Sequence, residues 1–244
     1  LVPKHKIYSS FRRFVNRAAQ LGLTLGKRRS KLIKGEIPTI QHIKKITIAL
    51  RGAAFRENDE YLQRLNVQSH IEMLIKPIQS KFADIEFDFL LVSYPDHRLG
   101  MIESMLQPYG SVNRINLALN IDNQITTFER ILNYTKSSSS AGTICSRFDL
   151  ILTDKISKFD FEPSVLSFPW AYPHNFKTGE IADQIHFIGK IAAKAVVTSI
   201  AHAKLDEKWP GTLHNLYNHA KRAASPKIAF SYLFEIHPPK FNNE

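Results

Sequence analysis

Cysteine is nearly missing from this chain: one residue, Cys145, in 244. An intrachain disulfide is therefore excluded, and a reducing, cytoplasmic setting is expected. No apolar run approaches the length needed to cross a bilayer. The N-terminus is basic with no apolar run behind it, so no secretory signal is expected there, while Leu1 in place of Met is compatible with an upstream anchor. Several catalytic signatures are absent too. There is no Gly-Xaa-Ser-Xaa-Gly elbow, no Walker-type phosphate loop, no Gly-Xaa-Gly-Xaa-Xaa-Gly, and no His-Glu-Xaa-Xaa-His or Cys-rich zinc pattern. Cys145 lies inside an apolar stretch with no activating group beside it, which argues against a thiol nucleophile.

Acidic residues are scarce in one place only. Residues 1–45 hold 12 Lys/Arg and a single acid, Glu36, whereas the remaining 21 basic and 21 acidic residues cancel. Nearly all of the formal charge of +11 thus belongs to an N-terminal arm, residues 1–43, and the domain of 44–244 is close to neutral. Within the arm, Phe11, Phe14, Ala18, Leu21 and Leu25 recur at helical spacing, with Arg12, Arg13 and Arg17 on the other faces. This basic amphipathic helix has three readings. It packs on the domain, it lies on an anionic membrane surface, or it neutralises nucleic-acid phosphates. The last lacks a recognition motif or aromatics placed for base stacking.

From Lys44 onward the pattern alternates. Strands are expected at 44–50, 86–92, 112–119 and 142–152, with helices at 59–82, 98–106 and 123–135 between them. Pro77 should end or bend the first of these helices. Beyond Val165 come a proline-punctuated aromatic segment with Trp170 and Tyr172, a strand-like stretch at 183–188, helices at 189–206 and 209–223, and an apolar tail at 228–236. Strand–helix alternation of this kind builds an α/β fold. It is a Rossmann-type, mostly parallel sheet with helices on both faces, here preceded by the basic helical arm. Ligands of such sheets sit outside the carboxyl ends of the strands.

The candidate site residues fall at those ends. Arg51 closes the first strand beside Gly52, where an absent side chain lets backbone approach a ligand. Tyr94 follows the second. Gly142-Thr-Ile-Cys-Ser-Arg-Phe-Asp-Leu-Ile-Leu152 carries Arg147 and Asp149 two residues apart, hence on one face of a strand. An arginine offers a fork of donors to phosphate, and a carboxylate suits a hard cation or a ribose. Their bland alternative is a salt bridge. Asp183 and His186 supply a second carboxylate and an imidazole, which converge only if Asp183 lies in the loop before its strand.

The series Arg51-Gly52, a long helix, Arg147-Phe-Asp-Leu150, an aromatic segment and Asp183-Gln-Ile-His-Phe187 resembles a group of polysaccharide glycosyltransferases of GT-A type, found in bacterial surface-polysaccharide loci and large DNA viruses. The resemblance covers about residues 44–190. It implies a GT-A-like nucleotide-binding domain and transfer of a sugar from a nucleotide-sugar donor to a glycan or lipid-linked acceptor. In that group Arg-Xaa-Asp-Leu stands where related transferases have Asp-Xaa-Asp. The resemblance therefore implies Asp149 as metal and donor ligand, for a Mn²⁺ or Mg²⁺ ion, with Arg147 beside it and Asp183 toward the acceptor; the residues themselves add Arg51, Gly52 and His186 as candidates toward the donor and Asp183 as a base. The competing reading is a non-enzymatic nucleic-acid or anionic-surface binding protein working through the arm. If the arm holds the protein at a membrane periphery, vesicles containing anionic lipid should bind the full chain, and 0.5 M salt should release it. Equal binding to neutral vesicles would refute that role.

Overall fold

In the computed structural model, the described residues are 43–55, 59–119, 122–153, 155–156, 159, 161–168, 184–205, 213, 216 and 227–230, all within the unit Ile43–Glu244. The basic arm lies outside them. The expected α/β class is observed: a mostly parallel sheet with helices on both faces.

Among the described residues, seven strands form one sheet: β1 Lys45–Arg51, β2 Glu86–Ser93, β3 Gly110–Asn116, β4 Gly142–Arg147, β5 Val165–Phe168, β6 Ile185–Gly189 and β7 Lys227–Phe230. Their order is β3-β2-β1-β4-β6-β5-β7. The strands β3, β2, β1 and β4 pair in parallel, so their carboxyl ends share one edge. Strand β6 runs antiparallel to both β4 and β5, and β5 is parallel to β7.

Period-two alternation divides the side chains between two cores. Ile46, Ile48, Leu50, Phe87, Phe89, Leu91 and Ile144 face one side. There they meet α1 (Glu60–His70), a π-turn (Ile71–Ile75), α2 (Lys76–Lys81) and α3 (Leu99–Leu106). Ala49, Leu90, Val92, Cys145 and Ile188 face the other, against α4 (Gln124–Ser137), α5 (Lys190–Thr198) and α6 (Ile200–Leu205). Covered on both faces, β1 and β2 read in sequence as almost unbroken apolar runs. Two glycines face each other across β4 and β6, Gly142 and Gly189. A Cβ on the first would collide with the Ile188 carbonyl and the Phe187 ring, and one on the second with the Pro163 carbonyl.

The expected 59–82 helix is three pieces. Pro77 has no N–H for the Met73 carbonyl. The chain widens into the π-turn just before it, and the Ile156 N–H takes that carbonyl at 2.6 Å. The bend is thus absorbed by a distant segment, and the helical direction continues. The expected 142–152 strand is also shorter: it stops at Arg147, with Phe148 and Asp149 in a turn. That turn is pinned from both sides. The Phe148 N–H donates to the Arg51 carbonyl (3.2 Å), and Gln63 Nε2 donates to the Phe148 carbonyl (3.3 Å). The helix expected at 189–206 breaks at Ser199 into α5 and α6.

His70 ends α1 fully buried. Its Nδ1 donates to the Asn66 carbonyl (2.8 Å), which leaves Nε2 to accept from the Ser146 hydroxyl (2.7 Å). Burial pushes its pKa down to about 4, with the Asn66 carbonyl opposing weakly. His186 is likewise held well below the ordinary value, first by burial and then by the charge of Arg51. The unfolded chain therefore binds protons that the folded chain refuses. Stability is complete above pH 6.5 and should decline as pH falls from there toward 4, by about 3 kcal/mol from His70 alone. Urea unfolding at pH 7.5, 5.5 and 4.5 measures it, and a flat midpoint would contradict the buried neutral imidazole.

Candidate functional site

At the shared carboxyl edge, hydrogen bonds tie the turns that follow β1, β2 and β3 together. Gly52 leaves β1 with φ of 107°, a conformation L side chains rarely adopt, and donates its N–H to the Val92 carbonyl at 3.0 Å. The Ala54 N–H donates to Ser93 Oγ (3.2 Å), and the Leu117 N–H to the Ser93 carbonyl (2.8 Å). Asp96 and Arg98 brace the loop after β2 with Nη2–Oδ2 at 2.7 Å, and the Arg98 guanidinium lies 4.2 Å from the centre of the Phe55 ring. The Asp96 carboxyl is held at about 2, chiefly by the Arg98 side chain.

These loops enclose an open cavity of about 660 Å³. Arg51, Gly52 and Ala53 line it from β1, Tyr94 from β2, and Leu117 from the end of β3. The N-terminal turn of α4 supplies Asp122 to Ile125 and Thr127, and α6 supplies Lys204. Asn123 caps α4 by a capping box with Thr126, which fixes that turn at the cavity wall. Asp122 receives the Ala118 N–H (2.7 Å) and Arg130 Nη2 (3.1 Å to each oxygen). Burial works to raise its pKa, but those donors hold it below the ordinary carboxylate value. The Tyr94 hydroxyl donates to the Asp122 carbonyl at 3.3 Å, and Lys204 Nζ lies 2.8 Å from Glu129.

Arg51 is only 4% exposed. It shares a face with Cys145 and His186, and its positive charge acts on both. Burial pushes the Cys145 thiol up to about 12, Arg51 opposing, so no thiolate forms at neutral pH. His186 is completely buried, opposite Cys145 in the β4–β6 register, with its ring 5.3 Å from Phe128 in an edge-on contact. It does not line the cavity.

Arg147 stands beside Arg51 in the β1–β4 register, on the same face. Strand spacing places the two backbones roughly 4.8 Å apart. Arg147 and Asp149 do come together, though Asp149 lies past the strand end. Nε donates to Oδ1 at 2.8 Å and Nη2 to Oδ2 at 2.5 Å, a two-pronged fork with the side chains 23% and 33% exposed. They sit at the same edge as the cavity without lining it. Asp183, Trp170 and Tyr172 lie outside the described residues.

A divalent ion fits this donor set poorly. Both oxygens of Asp149 already receive guanidinium N–H groups, and a cation approaching them would meet the charge of Arg147. Among the described residues, no three His, Cys, Asp or Glu side chains gather into a metal site.

Sequence reasoning found Arg51, Gly52 and Tyr94 at the cavity but missed Leu117, Asp122 and Lys204. Asn123 and Thr126 carried a visible capping signal next to Asp122. Lys204 carried none, because only the packing of α6 beside α4 brings it to the rim.

No family model matches this chain, and no curated protein matches it. Among solved structures, it is similar to the glycosyltransferase GlyE of Streptococcus pneumoniae TIGR4. Identity is 12% over 79% of this chain and 45% of GlyE, with a TM-score of 0.48. An active-site mutant of LgtC gives 14% identity over 76% of this chain and 72% of its own, at a TM-score of 0.44. The 4-diphosphocytidyl-2C-methyl-D-erythritolsynthase of Anaerococcus prevotii DSM 20548 gives 12%, 77%, 86% and 0.43 in the same terms. The chain spans less than half the length of GlyE. At these identities and scores the likeness concerns the path of the chain and says nothing of substrate.

The Gly52 conformation yields a direct test. A Cβ there meets nothing within 4 Å, so the substitution Gly52→Ala adds backbone strain alone. It should cost about 1–2 kcal/mol in urea unfolding, and an unchanged midpoint would mean that the turn relaxes at no cost.

Proposed function

We propose that this protein is a nucleotide-sugar-dependent glycosyltransferase, moving a sugar to a glycan or lipid-linked acceptor in surface-polysaccharide or glycoprotein-glycan synthesis. One observation carries the reading: an open cavity of about 660 Å³ at the carboxyl ends of β1, β2 and β3, walled by the Arg51-Gly52 turn and Tyr94. Sheets of this class receive nucleotides there, and the volume lies in the ordinary range for small-molecule sites. The resemblance of Arg147-Phe-Asp-Leu150 to the transferase motif supports it from the sequence side.

In this reading the nucleoside enters the cavity beside Tyr94, and its diphosphate extends along the edge toward Arg51 and Arg147. As the sugar C1–O bond breaks, its electron pair stays on the departing diphosphate. The two guanidinium groups meet that growing charge with donors already oriented. The acceptor hydroxyl oxygen bonds to C1 and releases its proton to a base, the role we assign to Asp183. The basic arm would keep the domain near an anionic surface where lipid-linked acceptors reside.

The test is a thermal-shift and calorimetric series with UDP, GDP, CDP and dTDP on the full chain. At least one should bind, and at one hundred times its Kd should add about 2.7 kcal/mol of stability. Asp149→Ala, which frees Arg147 from its fork, should weaken that binding. Asp183→Ala should leave donor affinity intact while turnover falls by roughly 10²–10⁴. If none of the four nucleotides binds, the transferase reading fails.

A further inference from the structure

Resting on that transferase reading, we propose that the diphosphate of the donor is held without a divalent cation, by the guanidinium groups of Arg51 and Arg147. The two side chains leave neighbouring parallel strands at matched positions and on one face. Asp149 answers Arg147 from one side, and an anion laid over both strand ends would meet donors of the two guanidinium groups together. Arg51 is embedded in the edge, where field lines to its charge pass through protein more than water, as its action on Cys145 and His186 shows. A phosphate there feels a stronger attraction than it would at an exposed lysine.

Asp149 acts differently from a metal ligand in this arrangement. Its two oxygens each take one Arg147 donor, so the carboxylate sets the plane and direction of the guanidinium. The turn holding it is fixed through Phe148, bonded to Arg51 on one side and Gln63 on the other. Asp149 is therefore a positioning residue for Arg147. A Mg²⁺ or Mn²⁺ ion bound there would have to displace a charge-assisted fork and then sit against the freed cation.

Calorimetric titration of the full chain with inorganic pyrophosphate, in EDTA and separately in Mn²⁺, tests the idea. Binding is expected in EDTA. Arg147→Ala should weaken it at least ten-fold, and Arg147→Lys, which keeps a cation but loses the fork, should fall between. Asp149→Asn keeps one acceptor for the Arg147 fork and should weaken binding in EDTA, though less than Arg147→Ala does. Far-ultraviolet dichroism checks that each variant is folded. Pyrophosphate binding that appears only with Mn²⁺, or wild-type binding by Arg147→Ala, overturns the inference. Those results leave the transferase reading standing if a nucleoside diphosphate binds in Mn²⁺. Absence of binding by pyrophosphate and by all four nucleotides in either buffer removes both.

Discussion

A guanidinium held almost out of solvent at the end of the central strand sets the terms for everything around it. Arg51 lies where β1 runs out between β2 and β4, with helices over both faces of the sheet. Charge in such a place is costly unless its surroundings answer it. Beside it His186, which could carry positive charge, stays neutral. The chain also opens an aqueous cavity at that very point, so that one side of the arginine looks onto a ligand-sized space.

The architecture makes that position unavoidable. Parallel pairing of β3, β2, β1 and β4 brings four carboxyl ends to one edge, and each strand is followed by a loop that must leave it. Gly52 turns the first loop sharply, while Ser93 ties the second to the first and to β3 through its hydroxyl and carbonyl. Away from this edge the packing is tight. At the Gly142–Gly189 pair there is no room for a methyl group, because β6 crowds the first and the backbone before β5 crowds the second. The site is thus assembled from loops with space around them, on a sheet with almost none.

The edge divides its labour. The cavity, with Tyr94, Leu117 and the start of α4, offers apolar and hydrogen-bonding surface suited to a nucleoside. Arg51 is part of the cavity wall, and Arg147 stands beside it in the β1–β4 register without lining the cavity. In the proposed function these two neighbouring places would take the nucleoside and the diphosphate of the donor. An Arg-Xaa-Asp spacing serves here because the intervening Phe148 is buried in the opposite core and anchors the turn, leaving its two neighbours to pair on the edge.

The linear chain by itself determined the α/β alternation, the positions of β1, β2 and α4, and the placing of Arg51, Gly52 and Tyr94 at strand ends. These follow from local apolar period, capping residues and turn chemistry, which act over a few residues. It did not determine that β4 stops at Arg147, because the strand continues only as far as β1 and β6 offer partners. Nor did it show that Pro77 would be accommodated, since the compensating N–H comes from Ile156, far along the chain. The salt bridge of Arg147 to Asp149 was among the readings open in the sequence, whereas the burial of His186 and the arrival of Lys204 at the cavity were decided by tertiary structure alone. Each depends on which distant segments pack together, and hydrophobic burial is not directional enough for sequence spacing to specify that.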